Sequence, residues 1–203
     1  MAMQGHWLFL SEPWRAASAL VLVSLAVMGS PGPSTMAVTA VGATFRIRRS
    51  LRFVSGSVVG SVGVLVAVAT GVVALLLSLP RLASVLTFAS VVYIAYLALR
   101  IATAPPLSHQ AADVPAPSFV AGFLLAIANP KAWFAIAAVF AGSALAVVAK
   151  VAILAAMIVV IHIAWLFAGT SLAGLLRSPV HSRIANVLFG VILIATTLVA
   201  LLR

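Results

Sequence analysis

The chain has no cysteine and only two acidic residues, Glu12 and Asp113, among 203. The first absence excludes disulfides, thiolate metal sites and thiol redox chemistry. The second leaves no carboxylate within the long apolar stretches to carry a proton or bind a cation. Charge of either sign is scarce, at 7% of residues, whereas 65% are hydrophobic. No soluble domain of this size is so apolar, so lipid must be its solvent. Backbone in a bilayer core must be helical or closed into a barrel. The runs are continuously apolar and do not alternate, which excludes the barrel. The N-terminal run lacks a basic leading region and continues past a short apolar core, so it does not read as a cleaved signal peptide.

What charge there is serves as a ruler. Thirty residues without Asp, Glu, Lys or Arg separate Arg15 from Arg46, and 28 separate Arg52 from Arg81. A further 18 lie between Arg81 and Arg100, 26 between Lys150 and Arg177, and 19 between Arg183 and Arg203. From Asp113 to Lys150 the one charge is Lys131. A span needs ~20 apolar residues. The expectation is an all-α integral membrane protein with helices near 17–42, 54–79, 82–102, 119–142, 148–174 and 184–202. The net charge of +10 is spread between these spans, which fits membrane topology better than nucleic-acid binding. Arg46, Arg48, Arg49, Arg52, Arg100, Arg177 and Arg183 fall on one side, and Arg15, Arg81, Lys150 and Arg203 on the other. The richer side is expected to be cytoplasmic, with both termini outside. Three helices per half then make the halves inverted relative to each other. Pro105, Pro106, Pro115 and Pro117 mark 104–118 as a stiff, extended linker between repeat 1 (about 16–103) and repeat 2 (about 119–203), within a single transporter domain.

Two proline motifs interrupt the apolar runs at matching places. Ser30-Pro31-Gly32-Pro33-Ser34 lies in the first helix and Asn129-Pro130-Lys131 in the fourth; Ser30 and Asn129 are 99 positions apart. Ser and Asn are good N-caps, and Pro is favoured at the first helical position. Each motif reads as one half-helix ending and another beginning. Paired interruptions in two halves point to a secondary transporter's binding site. A half-helix N-terminus carries about +0.5 charge and free N–H donors. Lys131 adds a positive charge beside one of them, which makes a site for an anion such as an α-carboxylate. Lys131 at depth costs ~2.5–3.5 kcal/mol on insertion scales, and its bland alternative is snorkelling to an interface.

Further residues weigh less. Gly56, Gly60 and Gly63 lie close to one helix face and suit close packing. That face is compatible with a homodimer or with packing inside the protomer. Tyr93 and Tyr96 are candidates for substrate contact or for interfacial aromatics. His162 is a candidate for proton coupling or for a hydrogen bond between helices. It lies 101 positions from Ser61, close to the offset of the two breaks.

Ser-Pro-Gly-Pro, the basic turn after it, Gly56-x-x-x-Gly60, Tyr93-x-x-Tyr96-Leu97-Ala98 and Asn129-Pro130-Lys131 together resemble, in order and spacing, the LysE/RhtB family of amino-acid exporters (LysE-type translocators). The resemblance runs over nearly the whole chain. It implies export of amino acids or related small metabolites across a prokaryotic cytoplasmic membrane, driven by the proton gradient, with no enzyme activity, no cofactor and no metal. Two places depart from the family's pattern. The turn after helix 1 reads Arg46-Ile47-Arg48-Arg49-Ser50-Leu51 where family members have more glycine. Ser61 stands where members often carry an acid, which moves the coupling role toward Lys131, His162 or a tyrosine, or to a Na⁺ ion on backbone carbonyls. With nothing acidic to pair a cationic side chain, neutral or acidic amino acids fit better than lysine or arginine. The rival expectation is a lipid or glycolipid exporter, or another small-anion translocator of the same superfamily.

Overall fold

The computed structural model describes residues 5–71, 80–103, 115–172 and 178–201. Helices α1 (Gly5–Val27), α2 (Pro33–Ala69), α3 (Pro80–Ala102), α4 (Phe119–Ala128), α5 (Pro130–Ala141), α6 (Val147–Leu172) and α7 (Pro179–Leu201) account for it, with no strand among the described residues.

Both expected interruptions are present. The chain leaves α1 at Val27 and re-enters helix at Pro33, where proline's fixed φ suits the first helical position and its missing N–H costs nothing. α4 and α5 are separated by Asn129 alone and bend by 62° there. The N-cap of α2 is Gly32, not Ser30 as the sequence suggested. Ser30 Oγ instead donates to Val27 O at 2.8 Å and so serves the end of α1.

Three boundaries differ from expectation. α1 begins at Gly5, with Pro13 inside it, so Glu12 lies within a helix and not ahead of one. The basic segment after the first break is not a loop. α2 runs through it with a single kink at Arg46 (φ 58°, ψ 177°), dividing it into helical pieces 33–45 and 47–69. Ser50 Oγ donates to Val41 O at 3.1 Å and to Arg46 O at 2.5 Å, which ties the two pieces together. α2 also stops ten residues short of position 79, because Thr70 closes it and Gly71 takes a positive φ of 77°. Most of the proline-rich linker, 104–114, lies outside the described residues. Its end is not helical, and Ser118 caps α4 by accepting from Ala121 N at 3.2 Å.

α2 is the hub, packed against α6 on one side and α4 on the other, while α3 pairs with α7. Glycine sets the closest approaches. A Cβ on Gly56 would meet the Phe119 carbonyl, and one on Gly122 the Phe53 carbonyl. A Cβ on Gly60 would lie 2.7 Å from Ala126 Cβ, and one on Gly169 would meet the Thr39 carbonyl. Gly63 is the exception, with open space around it. Gly56 and Gly60 meet successive turns of α4. Gly63 lies on the exposed side of α2, whereas Val64 and Leu65 beside it are buried in the core. Gly56 and Gly60 are thus engaged within the protomer.

The solvent logic is that of lipid. Leu22, Phe88 and Val148 are 65%, 72% and 82% exposed, while Ser34, Thr35, Ser57, Ser61, Asn129 and His162 are buried. Apolar outside and polar inside is the arrangement a bilayer selects. α2 and α6 are each long and apolar enough to cross a membrane, and α4 with α5 passes the same test as one broken span. The protein is a multi-pass, all-helical membrane protein.

Candidate functional site

The two breaks come together. Asn129, the residue between α4 and α5, donates from Nδ2 to Ser34 Oγ, in the first turn of α2, at 2.9 Å. Asn129 Oδ1 accepts from Lys131 N at 3.1 Å, which caps α5. On the other break, Gly32 N donates to Thr35 Oγ1 at 2.8 Å. Two helix N-termini therefore converge on one place, each bringing partial positive charge and N–H groups without intrahelical partners.

Lys131 behaves differently from expectation. Its Nζ donates to Ser30 O at 2.5 Å, Ser30 Oγ at 2.8 Å and Pro31 O at 3.0 Å. An ammonium has three donors, and all three are engaged. The charge of α5's first turn thus sits on the carbonyls that follow α1, where a cation is favoured. Gly32 makes the room: a Cβ there would lie 2.5 Å from Lys131 Cδ and 2.9 Å from its Nζ. Neither role of Lys131 anticipated from sequence, a free anion-binding charge or a snorkelling one, describes this clamp between the breaks.

The other carbonyl ends are served by indoles. Trp165 Nε1 donates to Gly29 O at 3.0 Å, and Trp133 Nε1 donates to Ile127 O at 2.7 Å. Sequence reasoning did not single out either tryptophan. The usable signal for Trp133 was its place three residues after Pro130, in the first turn of a half-helix.

A cavity of about 50 Å³ opens beside the junction. Its polar wall is Ser34, Thr35, Ser61, Asn129, Lys131 and His162, with the backbone of Gly32. Its apolar wall is Met28, Ala132, Ala135, Ile136, Ile158 and Ile161. At ~10–15 Å³ per water, it holds on the order of four waters. Gly32, Ser34, Asn129 and Lys131, expected at the substrate site, and His162, expected as a coupling candidate, are therefore brought together. Ser30 and Pro31 contribute through Lys131, and Pro33 and Pro130 by starting α2 and α5. Thr35, not anticipated, joins them. Ser61 and His162, paired on spacing alone, face the same cavity.

Tyr96 does not take part. It is 54% exposed on the outer side of α3 and does not line the cavity, a position that suits an interfacial aromatic. Tyr93 is in α3, and its side chain lies outside the described residues.

His162 is buried, at 5% exposure. Its Nδ1 lies 2.8 Å from Ile158 O. A carbonyl only accepts, so Nδ1 carries the hydrogen and Nε2 of the neutral ring is an acceptor. Nε2 is buried without a hydrogen-bond partner. Among the described residues no group of His, Asp and Glu is placed to hold a metal ion. The site can bind and orient a small polar molecule by helix ends, hydroxyls, an amide and one imidazole.

No curated protein and no solved structure matches the chain. The family model for LysE type translocators does match, over residues 23–203. That range takes in both helix breaks and every residue lining the cavity. The chain therefore belongs to the LysE type translocator family, membrane exporters of amino acids or related compounds.

Proposed function

We propose that the protein is a proton-coupled secondary transporter that exports neutral or acidic amino acids across the cytoplasmic membrane of a prokaryote. It does so with six spans in two inverted three-helix halves and both termini outside. The observation that carries the reading is the Asn129–Ser34 hydrogen bond, which joins two interrupted helices at a polar cavity inside an apolar body. Interrupted helices at the interface of two repeats supply substrate sites in this class of transporter.

Charge supports the substrate class. The N-termini of α2 and α5 favour a carboxylate. No acidic side chain lines the cavity, so a lysine or arginine substrate would have no partner for its side-chain charge. With Lys131 committed to Ser30 and Pro31, the site's net attraction for anions is moderate, which places neutral amino acids ahead of acidic ones. Alternating access opens and enlarges such a site around the substrate.

Uptake of radiolabelled alanine, threonine, leucine, glutamate and lysine into inverted vesicles tests this. Uptake of at least one neutral amino acid, accelerated by an imposed pH gradient and abolished by a protonophore, is the expected result. Uptake of lysine alone would refute the substrate class. Uptake of lactate with none of the amino acids would convert the reading to a small-anion translocator.

A further inference from the structure

Among the described residues two buried side-chain atoms have no hydrogen-bond partner, Ser57 Oγ and His162 Nε2, and of these two residues His162 lines the cavity. His162 Nδ1 is committed to Ile158 O, so the lone pair available to the site is that of Nε2. A buried acceptor left unpaired costs ~1–3 kcal/mol, so Nε2 is a place where a donor is favoured. Across the same cavity the first turn of α2, at Ser34 and Thr35, offers N–H donors and positive partial charge. A wall of donors faced by a lone acceptor is the complement of a zwitterion.

We propose that His162 Nε2 is shared by the substrate's ammonium group and the coupling proton, each excluding the other. The proposal rests on the amino-acid exporter reading and deepens it. The substrate carboxylate lies at the N-terminus of α2, and its ammonium donates to Nε2. A protonated imidazole is a donor at both nitrogens and a cation, so it can neither accept from an ammonium nor tolerate one beside it. One lone pair thus has two competing occupants. On the cytoplasmic side the proton leaves Nε2 for water as the ammonium arrives. On the outer side the ammonium leaves and a proton from water replaces it. One proton enters per amino acid exported, and no carboxylate is required.

The surroundings leave the role to this residue. α2 faces the cavity with Ser34, Thr35 and Ser61, α1 with Met28 and α5 with Lys131, Ala132, Ala135 and Ile136. Lys131 is the other titratable group there, and its donors are held by Ser30 and Pro31. Hydroxyl Ser61 stands beside the site where a carboxylate would otherwise compete for the same ammonium.

The test uses purified protein, first in detergent and then in proteoliposomes, with whichever amino acid of the panel above is transported fastest. Between about pH 5 and 8 a neutral amino acid keeps its charges, so a pH dependence of its binding reports on the protein. Wild-type binding is expected to weaken toward tenfold per pH unit on the acid side, with release of one proton per molecule bound. The N,N,N-trimethyl derivative, which has no N–H, should bind at least tenfold more weakly. His162→Gln keeps an acceptor that takes no proton. Whatever binding it retains should be independent of pH, and accumulation driven by a pH gradient should be lost. His162→Asn is the second variant. Gradient-driven accumulation by either variant, or wild-type binding that ignores pH, overturns the proposal. The wild-type curve decides even if both variants fail to fold. A wild type that transports none of the panel removes the amino-acid reading, and this inference with it. One that transports but binds independently of pH removes the inference alone.

Discussion

Asn129 and Ser34 are 95 residues apart in sequence and 2.9 Å apart through a buried hydrogen bond. The bond joins the two places where the helical backbone is interrupted. It is side chain to side chain, so either residue can be truncated without touching the backbone. Asn129→Ala also removes the cap on α5, because Oδ1 no longer accepts from Lys131 N. Ser34→Ala removes only the cross-break bond. Asn129→Ala should therefore cost more, about 1–3 kcal/mol against about 1 for Ser34→Ala. The double variant should be no worse than Asn129→Ala. Thermal unfolding of the detergent-purified variants measures this, and strictly additive losses would mean the bond contributes nothing.

Lys131 clamps the carbonyls of Ser30 and Pro31 from the opposite break. Lys131→Ala leaves those carbonyls without donors and opens the space that Gly32 provides. Transport should be abolished while the protein stays in the membrane. Lys131→Arg should also fail largely, since a planar fork does not replace a compact ammonium in a space where even a Cβ on Gly32 would collide. Efflux from cells with matched membrane levels is the measurement. Wild-type efflux by the alanine variant would show that the clamp is dispensable.

The two breaks were legible because proline leaves a local mark: Pro33 and Pro130 each stand at the first helical position, where a fixed φ and a missing N–H are tolerated. The half-to-half offset linked Ser30 with Asn129 and Ser61 with His162. What Lys131 touches was not legible, since a sequence gives the charge at a position but not the direction of a four-carbon side chain. The helical structure on both sides of Arg46 was hidden for a related reason. Arginines near a span end read equally well as loop or as exposed helix, and Arg49 in fact stays helical and stacks over the Phe45 ring at 5.4 Å. The roles of Trp133 and Trp165 were missed because an indole in an apolar run looks like lipid-facing bulk until its N–H finds a carbonyl.

The glycines separate by environment and not by motif. Gly60→Val would drive a branched side chain into Ala126 and the Phe123 carbonyl. Overpacking costs ~1–3 kcal/mol where neighbours can yield, and here one neighbour is helix backbone. A fall in purified yield and in melting temperature is expected. Gly63→Ala meets nothing within 4 Å and should leave both unchanged or slightly raised, since alanine is the better helix former. Equal damage from the two would refute the assignment of Gly60 to the α2–α4 contact.

The proposed topology places position 48 on the cytoplasmic side and position 144 outside. The chain has no cysteine, so single cysteines can be introduced at each without background. An impermeant maleimide should label position 144, but not 48, in intact cells, and both in opened membranes. Labelling of position 48 from outside would reverse the orientation.

Arg46 carries the non-helical backbone conformation that kinks α2, with φ 58° and ψ 177°. That region is open to glycine and costs other residues ~1–3 kcal/mol. Its neighbours Arg48, Arg49 and Arg52 supply positive charge as well. The arginine's charge is therefore replaceable and its conformation is not. Arg46→Gly should raise the unfolding midpoint, by an amount corresponding to about 1 kcal/mol, and keep the topology, because three bases remain in the segment. Arg46→Val carries a branch at Cβ into the same conformation and should lower the midpoint by a larger amount. Thermal unfolding of the three proteins in one detergent, with position 48 labelling as the topology control, decides it. A glycine variant less stable than wild type would mean that the side chain, and not the backbone, is what position 46 requires.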